Sequence, residues 1–267
     1  MMKIYISADI EGTTGITSWD ETEKDKESYA RFQEQMNREV KAACDGAIKA
    51  GAKEIWINDA HDSGRNLNPR LLPKNIKIIR GWAGHPFSMV QELDSSFDAV
   101  LFTGYHSHGG SRSNPLAHTM NPYDVDYIKI NGEYASEFTL HAYAAAYVGV
   151  PSVFISGDKG LCEDAKRLNP NIRTVGVNEG RGASTISIHP DLAVEMIEKE
   201  VEEALKGDLS LCKIQLPKEF NLEIGYVSHT KAHRFSFYPG AKLVSSKVVA
   251  FTSEDYFEIL RTILFLT

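Results

Sequence analysis

Short apolar runs alternate with longer amphipathic segments through the first two thirds of the chain. The segment Tyr29–Ala50 carries apolar residues at helical spacing and ends before Gly51, so we expect a helix there. Runs of strand length precede and follow it: Lys3–Ala8, Glu54–Asn58, Ile76–Ile79, Ala99–Thr103 and Ser152–Ser156. Short apolar strands that alternate with amphipathic helices predict the α/β class, with a largely parallel sheet flanked by helices.

The pattern changes toward the C-terminus. Tyr127–Ile130 predicts a strand, Asn131-Gly132 predicts a hairpin turn after it, and Ser136 is a candidate N-cap for a second helix. The glycine-rich stretch Gly176–Gly182 suggests a junction. After it come a helical segment (191–205), several strand-like runs (222–251) and a last helix from residue 253. We therefore expect an α/β domain over residues 1–182 and a smaller α+β domain over residues 183–267.

Composition and charge narrow the functional classes. The 267 residues include 29 lysines and arginines against 36 aspartates and glutamates, a net charge of −7 without a basic run. This balance argues against a nucleic-acid partner or an anionic membrane surface. No apolar stretch has the length of a membrane span, and an acidic residue as early as Asp9 argues against a signal peptide. Three widely spaced cysteines, an odd number, favour a cytoplasmic location.

Metal-ligating residue types follow three of the predicted strands. Asp9 and Glu11 follow the first strand, Asp59 or His61 follows the second, and His106 with His108 follows the fourth. The carboxyl ends of parallel strands meet at one edge of the sheet, so these side chains are expected to converge. Imidazole and carboxylate without a nearby cysteine suit Zn²⁺, Mn²⁺ or Fe²⁺. The joint occurrence of these residues at equivalent strand ends predicts a metal site.

Five short segments carry a family resemblance. The chain resembles the metallo D-aminopeptidases associated with dipeptide-transport operons, whose S-x-D-x-E-G signature matches Ser7–Gly12. The other matching segments, in the same order as in that family, are Asn58–His61, Pro86–Val90, Gly104–His106 and Ala117–Met120. These matches extend from residue 7 to about residue 160, with looser similarity afterwards. Five motifs in register make the resemblance specific.

The resemblance implies a site with two Zn²⁺ ions per subunit, although Mn²⁺ or Fe²⁺ would also fit. Asp9 would bridge the two ions. The remaining ligands would be Glu11, His61, His106 and one further glutamate. That glutamate is either Glu133 or Glu137, and we choose Glu137 because the family's ligand follows a small residue and opens a helix. His118 matches the family's catalytic histidine.

The implied activity is hydrolysis of the N-terminal residue, expected to be a D-amino acid, from short peptides or amino-acid amides. One carboxylate shared between two cations about 3.5–4 Å apart offsets their repulsion. A metal-bridged water or His118 would serve as the nucleophile or base, since the imidazole titrates near pH ~6.5. Candidates for holding the substrate ammonium are Asp62, Asp158 and backbone carbonyls near the site.

Two other functional classes remain open at this point. One is a two-metal hydrolase of another amide or ester, although few basic residues flank the motifs and a phosphate substrate is therefore disfavoured. The other is a non-catalytic peptide-binding module, which would need no metal. The resemblance also implies a homo-oligomer, with that family's ring-shaped decamer as the expected form. The final helix (256–266) is apolar around much of its circumference, which fits burial on more than one side.

Overall fold

A computed structural model of the protein describes residues 2–267. Within them the strands are β1 (Lys3–Ala8), β2 (Glu54–Asp59), β3 (Ile76–Ile79), β4 (Ala99–Tyr105), β5 (Val125–Ile130), β6 (Glu133–Tyr134), β7 (Ser152–Asp158), β8 (Arg173–Arg181), β9 (Ser184–Ser187), β10 (Phe220–Tyr226), β11 (Lys242–Ser245) and β12 (Val248–Ser253). The α-helices are α1 (Tyr29–Lys49), α2 (Glu137–Tyr147), α3 (Lys159–Leu168), α4 (Pro190–Lys206), α5 (His229–Phe235) and α6 (Tyr256–Leu266).

Seven strands form the first sheet, in the order β3-β2-β1-β4-β7-β8-β9. All neighbouring pairs are parallel except β8 and β9, which are antiparallel. The chain moves outward from β1 to β2 and β3, and then crosses to the other side of β1 to form β4. Ligand sites of open α/β sheets lie at the carboxyl ends of strands where the order reverses in this way. The predicted α/β class is confirmed.

Alternating side chains of β1 pack into two separate cores. Ile4, Ile6 and Ala8 join the buried faces of α1 and α4 on one side of the sheet. Tyr5 points to the opposite side, where α2, α6 and the second sheet complete the other core. Both faces of the parallel sheet are therefore covered, which explains why its central strands are buried on both sides.

The second sheet is antiparallel, in the order β11-β12-β10-β5-β6. The predicted hairpin turn is present between β5 and β6, where Asn131 and Gly132 have φ of 53° and 87°. Positive φ at both central positions is the requirement of a type I′ turn. Because α2 begins three residues after β6 ends, this hairpin sets where the helix and its first residue lie.

Parts of the sequence interpretation need correction. The stretch 176–182 is no junction, because most of it lies within β8, a strand of the main sheet. Helices α3 and α5 were missing from the predicted elements. The second sheet takes strands both from residues 125–134 and from residues 220–253, whereas the division into domains 1–182 and 183–267 stays a prediction. None of the helices within residues 2–267 is both long and apolar enough to span a membrane.

Candidate metal centre

Three neighbouring strands deliver ligand-type side chains to one edge of the main sheet. Asp9 follows β1 directly, His61 lies two residues beyond the end of β2, and His106 directly follows β4. Glu11 lies two residues beyond Asp9. All four side chains are buried, with between 0% and 7% of their surface exposed. Buried ionisable groups are normally paired with an opposite charge or bound to a metal, so the convergence of these four indicates a specific partner.

The hairpin and α2 add Glu137 to this edge. Ser136 caps the helix, since its hydroxyl accepts a hydrogen bond from the backbone N–H of Thr139 at 3.1 Å. Glu137 is consequently the first helical residue, and its carboxylate lies at the positive end of the helix dipole. The backbone N–H of Met120 donates to Glu137 Oε1 at 2.7 Å. Glu133, the alternative weighed from the sequence, lies exposed in β6 outside the cluster.

The side chains form two groups that share Asp9. In the first group, His61 Nδ1 lies 3.4 Å from Asp9 Oδ1 and 3.2 Å from Glu11 Oε2. In the second, His106 Nε2 lies 3.6 Å from Asp9 Oδ2 and 3.3 Å from Glu137 Oε2. Asp9 thus turns one carboxylate oxygen toward each group.

His118 belongs to the second group geometrically. Its Nε2 lies 3.4 Å from Glu137 Oε1, and its ring stacks on that of His106 with centroids 4.2 Å apart. On another side, its ring contacts Trp19 at a centroid distance of 5.3 Å. His118 also lines the open cavity above the cluster, whereas His106 is fully buried beneath it. The residue that sequence reasoning set apart from the ligands is therefore the histidine that faces the cavity.

In each histidine, the ring nitrogen that points away from the carboxylates contacts a backbone carbonyl, and this contact fixes the tautomer of the ring. A backbone carbonyl can only accept a hydrogen bond, so the ring nitrogen that faces it must carry the proton. The carbonyls are Thr22 O for His61 Nε2 (2.9 Å), Ser107 O for His106 Nδ1 (3.0 Å) and Leu116 O for His118 Nδ1 (2.9 Å). In its neutral form each imidazole then points a lone pair at the carboxylates. Such outer hydrogen bonds are the usual support of metal-binding histidines.

Three buried atoms of the cluster lack any hydrogen-bond partner among the described residues: Asp9 Oδ2, Glu11 Oε2 and His106 Nε2. Buried polar atoms without partners are rare, and each requires an explanation such as an ion. The carboxylate oxygens and the imidazole lone pairs point at one another, and all of them are electron-rich. A cation placed between them would satisfy all of them. The donor set, all oxygen and nitrogen, suits Zn²⁺, Mn²⁺ or Fe²⁺. The residues present therefore fit a metal centre.

Without a cation, the cluster balances its charge through shifted pKa values. Burial disfavours the charged form of His106, but the carboxylates of Glu137 and Asp9 outweigh it and raise the pKa of His106 to about 10. Burial likewise disfavours ionised Glu137, yet His106 and His118 lower the pKa of Glu137 to about 2. The pKa of His118 lies below its usual range because of burial and the neighbouring His106. The proton on His106 thus supplies positive charge that a bound metal ion would otherwise provide.

The motif glycines allow the two central strands to approach each other closely. A Cβ on Gly12 would lie 1.7 Å from the carbonyl oxygen of Tyr105, and one on Gly104 would lie 2.2 Å from the carbonyl oxygen of Asp9. The Gly12 N–H also donates to Gly104 O at 2.8 Å. Gly12 and Gly104 therefore allow the two backbone segments to lie in direct contact, and this contact sets the distance between Asp9 and His106.

A buried loop holds His61. The side-chain amide of Asn66 donates to the carbonyl oxygen of His61 at 2.7 Å and to Asp59 Oδ1 at 2.8 Å. Asp59 also accepts from the backbone N–H groups of Asn66 and Leu67. Of the two alternatives after β2, His61 enters the cluster and Asp59 organises the loop. His108 stays outside, stacked on Tyr134.

A cavity of about 330 Å³ opens above the cluster. Its walls include the aromatic side chains of Trp19, Trp82 and Tyr123, which sequence reasoning missed. Trp82 and Tyr123 lie in irregular loops and Trp19 begins a single 3₁₀ turn (Trp19–Glu21), where neither strand nor helix periodicity gives a signal. Three of the cavity's residues, Asp62, Ser88 and Met120, have positive φ without being glycine. Strained backbone of this kind concentrates at functional sites.

A family model for the M55 peptidases, described as D-aminopeptidase, matches residues 2–265. The chain belongs to this family. The expectation drawn from the five sequence motifs, a metallo-aminopeptidase, is thereby confirmed.

The M55 assignment agrees with one sequence relative and one solved structure. A D-aminopeptidase of Bacillus subtilis (strain 168) is 28% identical over 268 residues, which cover 100% of this chain and 97% of the relative. The structure of the Zn-dependent D-aminopeptidase DppA from Bacillus subtilis, described as a self-compartmentalizing protease, superimposes with a TM-score of 0.91 at 27% identity. That superposition covers 99% of this chain and 96% of the other.

Proposed function

We propose that this protein is a zinc-dependent aminopeptidase with a binuclear site, which removes an N-terminal D-amino acid from short peptides or amino-acid amides. The observation that carries the proposal is the geometry of Asp9, whose two oxygens face two separate ligand groups. A carboxylate in that position neutralises two neighbouring cations at once. Membership of the M55 family supplies the substrate class, and the zinc dependence of the similar solved structure favours Zn²⁺ over Mn²⁺ and Fe²⁺.

The five proposed ligands divide between two metal positions. Asp9 would be shared by the two ions, one of which would be held by Glu11 and His61 and the other by His106 and Glu137. When bound, the ions supply a Lewis acid for the peptide carbonyl and a water molecule of lowered pKa. The protein holds His61 and His106 in the required tautomers through backbone carbonyls, so neither ring has to change its tautomer to bind a metal.

We assign proton transfer to His118. Its Nδ1–H donates to the Leu116 carbonyl, which leaves Nε2 as an acceptor beside the site. Unlike His106, it borders the cavity that a substrate would enter. Contact with Trp19 limits rotation of the ring. His118 is thus positioned to accept a proton from the attacking group and to donate one to the departing amine.

Metal analysis combined with a substrate panel tests the proposal. Zinc-loaded protein should contain two equivalents per subunit and hydrolyse D-aminoacyl amides faster than L-aminoacyl amides. Asp9→Ala should lose both ions together with activity. In the matched pair Glu137→Ala and Glu133→Ala, only the first should lose metal, because only Glu137 lies in the cluster.

Other outcomes of the same panel identify the rival functions. Full zinc content with hydrolysis of unrelated esters or amides alone would indicate a two-metal hydrolase of another class. Absence of metal, together with peptide binding, would indicate a binding module. Retention of two equivalents of zinc by Asp9→Ala would refute the bridge.

We further propose that the protein assembles as a homo-oligomer, the ring-shaped decamer being the expected form. The support is the similar solved structure, described as a self-compartmentalizing protease. Much of α6 packs within its own chain, through residues such as Ile259 and Ile263, whereas Phe265 is 62% exposed. Light scattering at micromolar concentration should give a multiple of 29.7 kDa, and the monomer mass would contradict assembly.

We propose the cytoplasm as the compartment. The three cysteines, Cys44, Cys162 and Cys212, are buried free thiols. Unpaired thiols are typical of proteins in a reducing environment. Fractionation of cells that produce the protein would test this, and activity confined to an extracellular fraction would contradict it.

A further inference from the structure

The carboxylate of Asp62 lies in the wall of the cavity and has no assigned role. It belongs to the residue directly after His61 and is exposed, and the indole hydrogen bond that Asp62 receives goes to its backbone carbonyl. The neighbouring cation, Lys24, donates its Nζ to the hydroxyl of Ser63. Apart from Asp9, Glu11 and Glu137 of the cluster, the cavity wall holds one acidic side chain besides Asp62. This is Glu23, which is already engaged, because Lys26 Nζ lies 3.7 Å from it and the Tyr123 hydroxyl lies 3.5 Å from it. Outside the metal-binding cluster, Asp62 therefore offers a carboxylate in the cavity wall that is free to bind a positively charged group.

The backbone around Asp62 is fixed by several contacts. The indole N–H of Trp82 donates to the Asp62 carbonyl at 2.6 Å. Gly64 N–H donates to His61 O and Gly81 N–H donates to Gly64 O, each at 2.8 Å. Asp62 itself has φ of 45°, a left-handed conformation that aspartate tolerates better than most residues. Such strain persists only where the surroundings impose it, so the backbone that carries the carboxylate is held in a defined place.

We propose that Asp62 binds the N-terminal ammonium group of the substrate. This inference rests on the proposed function, because an aminopeptidase must distinguish a free amine from a blocked one. An ammonium group beside two divalent cations is repelled by them, and an unpaired carboxylate next to the ligand His61 supplies the compensating charge. Charge-assisted hydrogen bonds of this type provide both affinity and orientation.

The alternative considered from the sequence, Asp158, is occupied. Its carboxylate accepts from the backbone N–H and the hydroxyl of Ser107, both at 2.6 Å, and from the Leu161 N–H at 2.9 Å. Asp158 is fully buried and caps α3. It is therefore a structural residue, and of the two carboxylates considered from the sequence only Asp62 borders the cavity and can meet an ammonium group.

A pair of substrates isolates the ammonium contact. D-alanyl-p-nitroanilide and propionyl-p-nitroanilide have the same acyl skeleton and differ in the amino group. Asp62→Asn should raise KM for the first substrate about 10-fold to 100-fold, the range of a lost hydrogen bond to a charged group, and leave kcat and zinc content close to wild type. Asparagine tolerates the left-handed backbone as aspartate does, so the variant should keep its fold.

Glu23→Gln is the matched variant, because it removes the same charge from the same cavity. Its effect on the preference for the free amine should be much smaller than that of Asp62→Asn. An equal effect would mean that general negative charge, rather than a specific contact, attracts the amine, and would overturn the proposal. An unchanged substrate preference in Asp62→Asn would also overturn it.

Calorimetry with D-alaninol provides a readout that is independent of turnover. Zinc-loaded wild-type protein should bind this amine, and Asp62→Asn should bind it about 10-fold or more weakly. Equal binding by both proteins would contradict the assignment even if the enzyme were active. Wild-type protein that binds D-alaninol through Asp62 but hydrolyses no D-aminoacyl substrate would refute the proposed function and leave the ammonium site standing.

Discussion

Replacement of Gly12 by alanine tests whether strand contact sets the geometry of the metal centre. The added Cβ would lie 1.7 Å from the carbonyl oxygen of Tyr105, whereas side-chain Cβ atoms keep about 3 Å from such an atom. The ends of β1 and β4 must therefore separate by about 1.3 Å. Asp9 and His106 follow these two strands directly, so the distance between them changes by a similar amount.

Two quantities should respond to that displacement. Overpacking of a buried site costs about 1–3 kcal/mol of the free energy of unfolding, which lowers the melting temperature by about 2–12 °C in a chain of this size. A misplacement of about 1 Å in a catalytic site costs turnover about 100-fold. Gly12→Ala should thus fold but melt at a lower temperature than wild type. It should hold less zinc at the position formed by His106 and Glu137, and its kcat should fall at least 100-fold.

Gly207→Ala serves as the control, since a Cβ there meets only atoms at ordinary contact distances of 3.4 Å and more. The measurements are thermal melts, zinc content after dialysis and hydrolysis of a D-aminoacyl amide. Gly12→Ala with wild-type zinc content and kcat within twofold of wild type would refute the link between strand contact and site geometry.

Two further predictions concern the histidines. His118→Ala should keep both zinc ions and lose kcat about 10²-fold to 10⁴-fold, the usual worth of proton transfer, and loss of metal would instead make His118 a ligand. After zinc removal, the protein should lose stability as the pH rises from about 6.5 to about 10. His106, despite its burial, is stabilised in its charged form by Glu137 and Asp9, and this contribution disappears above its pKa of about 10. Melting temperatures of zinc-loaded protein should not follow this decline, and parallel pH profiles for the two forms would contradict the explanation.

The main sheet was predictable because its strands are short, apolar and separated by clear turn or helix signals. β1 and β4 were identified by their apolar runs, and the Asn131-Gly132 turn by its residue types. The error at residues 176–182 arose because glycine usually interrupts strands. In β8, Gly180 instead permits close approach of another backbone segment, since a Cβ there would lie 2.6 Å from Ser113 O. That contact is tertiary and leaves no local pattern.

The candidate site was predictable for residues that directly follow a strand or begin a helix, because the position of that element determines where they lie. Asp9, His61 and His106 converge because their strands are parallel neighbours, and Glu137 reaches them because Ser136 starts a helix at the correct point. Trp82 and the conformation of Asp62 were not predictable, because both depend on contacts between irregular loops distant in sequence.

Strand order explains why the shared carboxylate is Asp9 and no other residue of the cluster. β1 lies between β2 and β4, and its residue Ala8 pairs with Asp59 on one side and with Thr103 on the other. A side chain one residue beyond Ala8 has the ends of both neighbouring strands beside it. His61 reaches it from the β2 side and His106 from the β4 side, whereas those two histidines are separated by the full width of β1. The proposed bridging ligand is therefore expected on the middle strand, and the reversal of strand order at β1 creates that position.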